Sequence, residues 1–304
     1  MRHLLHAAIK RARAFTSPYA RRWRAWTLCH RPVRKRTGTT GSVSLITTNF
    51  GNTDTFPVML RDWIEFMGSR PFEVVVVDGG SPPETVEMYL TLFKEGLIDK
   101  LHLMNSRHPE NHKHLCFIQE YYSGVLGSGD YLLFFKQDTL PYRADHTDWI
   151  EESISLFAAD KKLFAITGTS PGPAFLGEAD NEFWCLERIS ENFALIPRRH
   201  HVDAMRLCER FWASGWRGVN PFLHIHPVAA RCLIECAWDK YCRDKGMRAL
   251  MRKEDDSWNL FHTNASGEEL MWLRERNRRR EGLDRFYNRQ GPRFRQAEFP
   301  GEGP

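Results

Sequence analysis

Four places in this chain put charged or polar side chains where chemistry could be done. The first is Lys136-Gln137-Asp138-Thr139, which closes the apolar run Tyr131-Leu132-Leu133-Phe134-Phe135. Such a run, opened by the small polar turn Gly129-Asp130, reads as a buried parallel strand. Ligands of open α/β sheets bind just beyond the carboxyl ends of their strands, so Asp138 stands where a substrate is expected. The second is Asp78, at the end of Phe72-Glu73-Val74-Val75-Val76-Val77 and ahead of Gly79-Gly80-Ser81. Its carboxylate could accept an N–H from a nucleotide base, since uracil N3–H and guanine N1–H are donors. The competing role is an Asp-Gly turn or a helix cap. The third is the stretch from Arg231 to Gly246, where Glu235 and Asp239 are spaced i,i+4 and share one helix face. The fourth is Leu260-Phe261-His262-Thr263-Asn264, with one histidine after apolar residues.

The elements that must position these residues follow from periodicity. Val43 to Thr48 is a first strand, ending at Thr47, Thr48 and Asn49. Phe56, Leu60, Trp63, Ile64 and Met67 form one face of a helix. The Phe72 to Val77 strand leads to a helix over 84–94, a short strand over 101–104 and a helix over 112–126. The Tyr131 strand precedes a helix over 147–158 and a strand over 163–167. Helices are expected over 232–245 and from Gly267. Strands alternating with helices imply parallel βαβ units, hence an α/β fold. Residues 170–225 show few clear periods and suit long loops and bent strands. Within them, Trp212, Trp216 and Phe222 could wall a sugar acceptor or belong to a core. His200-His201 and His224-x-His226 lack a third ligand at an obvious spacing and read as buried or loop histidines.

The order of these motifs resembles that of family-2-type, GT-A-fold glycosyltransferases, over roughly residues 42–280. In that family a strand ending Val-Asp-x-Gly-Ser holds the nucleotide, and a later strand ends in Asp-x-Asp. Here the corresponding residues are Asp78 and Lys136-Gln137-Asp138, with Lys136 at the first acidic position. The resemblance implies a single GT-A-like domain with a Rossmann-like, mostly parallel sheet flanked by helices. It implies that Thr47, Thr48, Asn49, Asp78, Lys136, Gln137 and Arg276 contact the donor. It makes Asp138 and His262 the ligands of Mn2+ or Mg2+, and Glu235, ahead of Asp239, the catalytic base. Glu254-Asp255-Asp256 is the competing base motif. The implied activity is transfer of a sugar from a nucleotide-diphosphate donor, a UDP-sugar being favoured, to a glycan or glycolipid hydroxyl with inversion. Lys136 also suits a catalytically degenerate domain that serves as a membrane-associated assembly factor. A sugar nucleotidyltransferase would need a Gly-rich basic loop after the first strand, and Asn49-Phe50-Gly51-Asn52 is not one.

Composition sets the remaining bounds. The chain has 304 residues, is 42% hydrophobic and carries a net charge of +5. Residues 1–40 hold eleven Lys/Arg and no acid, and residues 274–295 hold nine Arg. We therefore divide the chain into a basic arm (1–40), a catalytic domain (41–273) and a basic C-terminal helix and tail (274–304). The arm mixes Arg with Leu4, Leu5, Trp23 and Trp26, which suits an interfacial helix on anionic lipid as well as a solvated arm. No nucleic acid is expected as a partner. No apolar run reaches the roughly 18 residues of a membrane span. Seven cysteines without a CxxC pair read as reduced thiols, so a cytoplasmic protein, peripheral on the membrane through its arms, is expected.

Overall fold

The structure is a computed structural model that describes residues 23–34, 40–68, 73–104, 120–144, 148–168, 175–186, 189–213, 233–253, 257–281, 287–288 and 293–294. The first strand, β1 (Val43–Asn49), lies between β2 (Glu73–Asp78) and β4 (Tyr131–Phe135), parallel to both. Beyond β2 lies β3 (Lys100–Leu103), also parallel. The far side is mixed. β9 (Phe193–Pro197) runs antiparallel between β4 and β6 (Leu163–Thr167), followed by β10 (Arg248–Arg252), β8 (Phe183–Leu186) and β7 (Phe175–Glu178). This nine-stranded sheet is mostly parallel and flanked by helices, which is the α/β architecture expected from the alternating pattern. A separate antiparallel ribbon pairs β5 (Thr139–Arg143) with β11 (Trp258–His262). A short hairpin joins β12 (Tyr287–Asn288) and β13 (Arg293–Phe294).

Successive residues of the central strands face opposite sides, so a strand covered on both faces must be apolar throughout. Leu45, Val74, Val76, Leu133 and Phe135 enter one core, with helices α2 (Phe56–Met67), α3 (Pro83–Lys94), α5 (Trp149–Ala159) and α8 (Gly267–Arg279). Ile46, Val75, Leu132, Phe134 and Ile196 enter the other, under α6 (Arg198–Ala213) and α7 (Leu233–Lys245). α2 ends at Gly68, whose φ of 76° is the left-handed cap that glycine adopts without strain. Trp63 on α2 donates its indole N–H to the carbonyl of Thr139 and so fixes the ribbon to the sheet.

Most elements fall within a residue or two of the sequence reading. The differences are the strands β5 and β10, which the sequence reading does not include, and the stretch 170–225, where β7, β8 and β9 form sheet strands and α6 is a helix of 16 residues. The expected helix over 112–126 is seen as α4 over 120–126, its earlier part lying outside the described residues. The arm is not wholly separate: residues 23–29 form helix α1, and Leu28 is buried. α8 runs through residue 273 to Arg279, and Arg274 pairs with Asp62 on α2. Among the described residues, no helix is long and apolar enough to cross a membrane.

Arg248 on β10 is only 1% exposed. Its guanidinium donates to the carbonyls of Leu28 and Arg31 at 2.9 and 2.8 Å, to that of Pro32 at 3.2 Å, and to Asp160 at 3.2 Å. One buried cation thus ties residues 28–32 to the sheet. Removing one partner of a buried ion pair costs about 3–5 kcal/mol. Arg248→Met should therefore lower the stability to urea by about that much and open residues 23–34 to protease first; unchanged stability would refute this anchoring role.

Candidate functional site

Parallel pairing in register brings the ends of β1 and β2 together, with Asn49 opposite Asp78 and Thr47 opposite Phe135 at the end of β4. Because β9 runs the other way, its first residue, Phe193, also pairs with Phe135. Residues 190–192 thus arrive at the same edge as Lys136-Gln137-Asp138. The ribbon adds the end of β11, where His262 pairs with Thr139.

Asp138 and His262 meet there. Asp138 Oδ2 lies 2.9 Å from His262 Nε2, and both side chains are largely buried. The other ring nitrogen, Nδ1, accepts from the side-chain amide of Asn192 at 3.1 Å. The backbone is equally constrained: the Asp138 carbonyl accepts from the N–H and hydroxyl of Thr263, each at 2.9 Å.

Lys136 turns to other partners. Its ammonium lies 2.7 Å from Glu191 and 3.1 Å from Glu120 on α4. Burial works against the ammonium, but the charges of Glu191, Glu120 and Glu235 outweigh it and hold Lys136 well above the ordinary lysine value. Burial, then the charge of Glu120, pushes Glu191 from 4.5 up to about 8. The Glu191 carboxyl thus holds its proton to a higher pH than an ordinary carboxyl group. Glu235, in the first turn of α7, accepts the backbone N–H of Glu191 at 3.2 Å. Asp239 lies one turn further along and is 3% exposed.

Asp78 is fully buried. One carboxylate oxygen accepts the N–H groups of Gly80 and Ser81 at 2.7 and 2.8 Å. The other accepts the hydroxyls of Ser81 and Tyr89. Gly80, at φ 90°, supplies the left-handed residue this turn requires. Asn49 donates to the same Tyr89 hydroxyl at 2.6 Å. Asp78 therefore holds its own turn, and a base could reach it only by exchanging one of these bonds.

No family model matches the chain, and no curated protein matches it. Among solved structures it is similar to the mannosyltransferase PcManGT from Pyrobaculum calidifontis in complex with GDP-Man and Mn2+, with 15% identity over 88% of this chain and 71% of that one, and a TM-score of 0.48. It is similar to GalNAc-T7 with UDP, GalNAc and Mn2+, with 11% identity over 83% of this chain and 49% of that one, and a TM-score of 0.44. It is also similar to residues 1–349 of S. aureus TarS, with 12% identity over 77% of this chain and 63% of that one, and a TM-score of 0.42.

The structure thus gathers Lys136, Asp138, His262 and Glu235 around residues 190–192. Thr47, Thr48, Asn49 and Asp78 line the adjoining strand ends. Gln137 occupies the turn, its Oε1 buried without a hydrogen-bond partner among the described residues. Arg276, on α8, has its guanidinium 4.9 Å from the ring of Trp272. Glu120, Glu191 and Asn192 were missed by the sequence reading. The one available signal was the apolar run Phe193–Pro197, whose reading as a strand would have marked the two residues before it. His200 and His201 are core histidines, held by burial at about 4 and about 3. Among the described residues Cys29, Cys185 and Cys242 are free thiols. The side chains of Trp212, Cys232 and Cys236, and residues Trp216, Phe222, His224, His226 and 254–256, lie outside the described residues.

The raised Glu191 carboxyl has a consequence for stability. The unfolded chain releases this proton from pH 4.5 upward, while the folded chain keeps it to about pH 8. Its contribution is thus fully present below 4.5 and lost as pH rises through 8. Glu191→Gln removes the titration, so the melting temperature of the wild type minus that of the variant should fall between pH 4.5 and 8. His200 and His201 act in the opposite direction, but cancel in the difference. A constant difference across this range would show that Glu191 titrates normally.

Proposed function

We propose that the chain is a GT-A-type glycosyltransferase that moves a sugar from a nucleotide-diphosphate donor, a UDP-sugar being favoured, to a glycan or glycolipid hydroxyl with inversion. The observation that carries the reading is the pair Asp138–His262, 2.9 Å apart at the carboxyl edge of the sheet. Two neighbouring ligands of an octahedral ion with bonds of about 2.1 Å are separated by about 3 Å, which these atoms match. Among the described residues no group of three or more His, Cys, Asp or Glu could hold a metal. Two protein donors leave positions for phosphate oxygens and water, the usual arrangement at diphosphate sites. The imidazole nitrogen favours Mn2+ over Mg2+. Asp138 and His262 would hold a divalent ion, which would supply charge stabilisation at a leaving diphosphate.

The chain's own residues divide the rest of the work. Glu235 takes the proton of the acceptor hydroxyl as its oxygen bonds to the sugar, and the diphosphate departs from the opposite face. Its bond to the Glu191 N–H supports this assignment by fixing the carboxylate near the metal side of the site. Asp239, one turn deeper, is a helix acid. Thr48 and Asn49 line the nucleotide, and Asp78 shapes the turn beneath it. Lys136 is a fixed counter-ion of Glu120 and Glu191. That pairing also suits the second reading, a degenerate domain acting as an assembly factor, because among the described residues no group of three or more His, Cys, Asp or Glu could hold a metal.

Hydrolysis of UDP-, GDP- and dTDP-sugars with and without Mn2+ separates these readings: an enzyme turns over at least one, a degenerate domain none. Losing a general base costs about 10²–10⁴ in rate. Glu235→Gln should therefore lower transfer by that factor with donor binding intact, and Asp239→Asn should change it little. Near-normal transfer in Glu235→Gln would move the base to Glu254-Asp255-Asp256.

The arm supports a membrane contact. Trp23 and Trp26 stack at 5.5 Å and are 67% and 55% exposed, next to a segment of basic residues and no acid. Aromatic and basic side chains together favour an anionic lipid surface. Replacing both tryptophans with alanine should reduce co-sedimentation with anionic vesicles at low salt; equal co-sedimentation of variant and wild type would remove this partner.

A further inference from the structure

The edge of the sheet opposite the Asp138–His262 pair has a chemistry of its own. β4 begins there at Tyr131, paired with Pro197 at the end of β9. β6 and β10 begin there too, with Leu163 opposite Arg248. The two edges are separated by the five residues of β4, about 13 Å at roughly 3.3 Å per residue. A cleft of about 730 Å³ opens beside Tyr131 and Pro197. The rings of Tyr131 and Phe157, 5.5 Å apart, form one wall, and Lys161, Arg198 and Arg199 also line it.

The acids near this cleft are already engaged. Asp130 accepts the N–H and the hydroxyl of Ser42, each at 2.9 Å. Asp160 accepts from Arg248 at 3.2 Å and from the N–H of Lys162 at 2.8 Å. Asp203 lies 3.1 Å from Arg206. Arg198 is held by the carbonyl of Gly127 at 2.8 Å. Lys161 and Arg199 are exposed, and neither has an ion-pair partner among the described residues.

We propose that this cleft binds the phosphate of an anionic lipid headgroup, with Lys161 and Arg199 as its cations. A guanidinium fork matches phosphate oxygens, and an ammonium adds a point charge. The neighbouring arm favours lipid as the source of that phosphate. Arg248 ties Leu28 to this edge, and the exposed Trp26 and Trp23 lie two and five residues before it on α1. Indoles beside unpaired cations suit a surface that rests on anionic headgroups. The choice of lipid rests on the membrane contact proposed for the arm, and not on the glycosyltransferase reading. With this edge on a membrane, Asp138 and His262 stand at the edge turned away from it.

The test measures binding of the full chain, at low salt, to vesicles of phosphatidylcholine alone and of phosphatidylcholine with phosphatidylserine. The wild type should bind the anionic vesicles only. Lys161→Gln and Arg199→Gln should each weaken that binding about fivefold, and together about 25-fold. Lys253→Gln, beyond the other end of β10, removes the same charge and should bind as the wild type does. Melting temperatures check that each variant folds. Equal binding by the wild type and the Lys161→Gln, Arg199→Gln double variant overturns the inference. If replacing Trp23 and Trp26 with alanine still weakens binding in that case, the arm's contact with lipid stands without the cleft. Weakening by the cleft variants but not by the tryptophan variant upholds the cleft and removes the arm. A wild type that binds neither kind of vesicle overturns both. A rise in melting temperature with inorganic phosphate, lost in Arg199→Gln, would then make the cleft a site for free phosphate instead.

Discussion

The ammonium of Lys136 constrains everything around it. A charge at the buried end of β4 is costly unless it is paired, and its two partners come from distant parts of the chain. Glu120 lies on α4 and Glu191 just ahead of β9. One cation thus draws a helix, a strand turn and the approach to a reversed strand to one point. The direction of β9 is part of the same constraint. Had it run parallel to β4, residues 190–192 would sit at the opposite edge, and neither Glu235 nor His262 would meet them.

From that point the site divides into two sides that share one backbone segment. The Asn192 carbonyl binds the β4–β5 turn, its side chain binds His262, and the preceding N–H binds Glu235. Small displacements of residues 190–192 would therefore be felt by Asp138, His262 and Glu235 together. On the other side, the turn after β2 is organised from within. Asp78 satisfies its own loop and joins Asn49 through Tyr89, whose hydroxyl is kept protonated by burial and by the Asp78 charge. The turn after β2 is thus preformed by local bonds, and the cluster around residues 190–192 by long-range ones.

This division explains what could be read from the sequence. β1, β2, β4, β6, α2, α3, α5, α7 and α8 are signalled by local apolar patterns, and each was found within a residue or two. Asp138, His262 and Glu235 could be marked because each ends or opens such an element. β9 has an equally apolar sequence, but it stands alone between irregular segments and its partner β4 is some 60 residues away, as in the pairing of Phe193 with Phe135. α6 opens with Arg198-Arg199-His200-His201, which reads as a polar turn until His201, Ala204 and Met205 are seen to share a buried face. Glu120 carries no local signal at all, and Glu191 none beyond the strand that follows it. Their significance is that they face Lys136, and a contact across such separations has no trace in periodicity.

Lysine in place of an acid at position 136 then has a physical rationale on the glycosyltransferase reading. Two acids beside a diphosphate need a metal to offset their mutual repulsion. Here the second donor is a neutral imidazole brought by the ribbon, and Lys136 spends its charge on Glu120 and Glu191. Asp138 is left as the one anion of the pair that faces the donor. Such a site grips a divalent ion less strongly than two carboxylates would, since one of its donors carries no charge. It also repels an incoming diphosphate less. The ion and the diphosphate would therefore gain most by binding together, each supplying what the two protein donors lack.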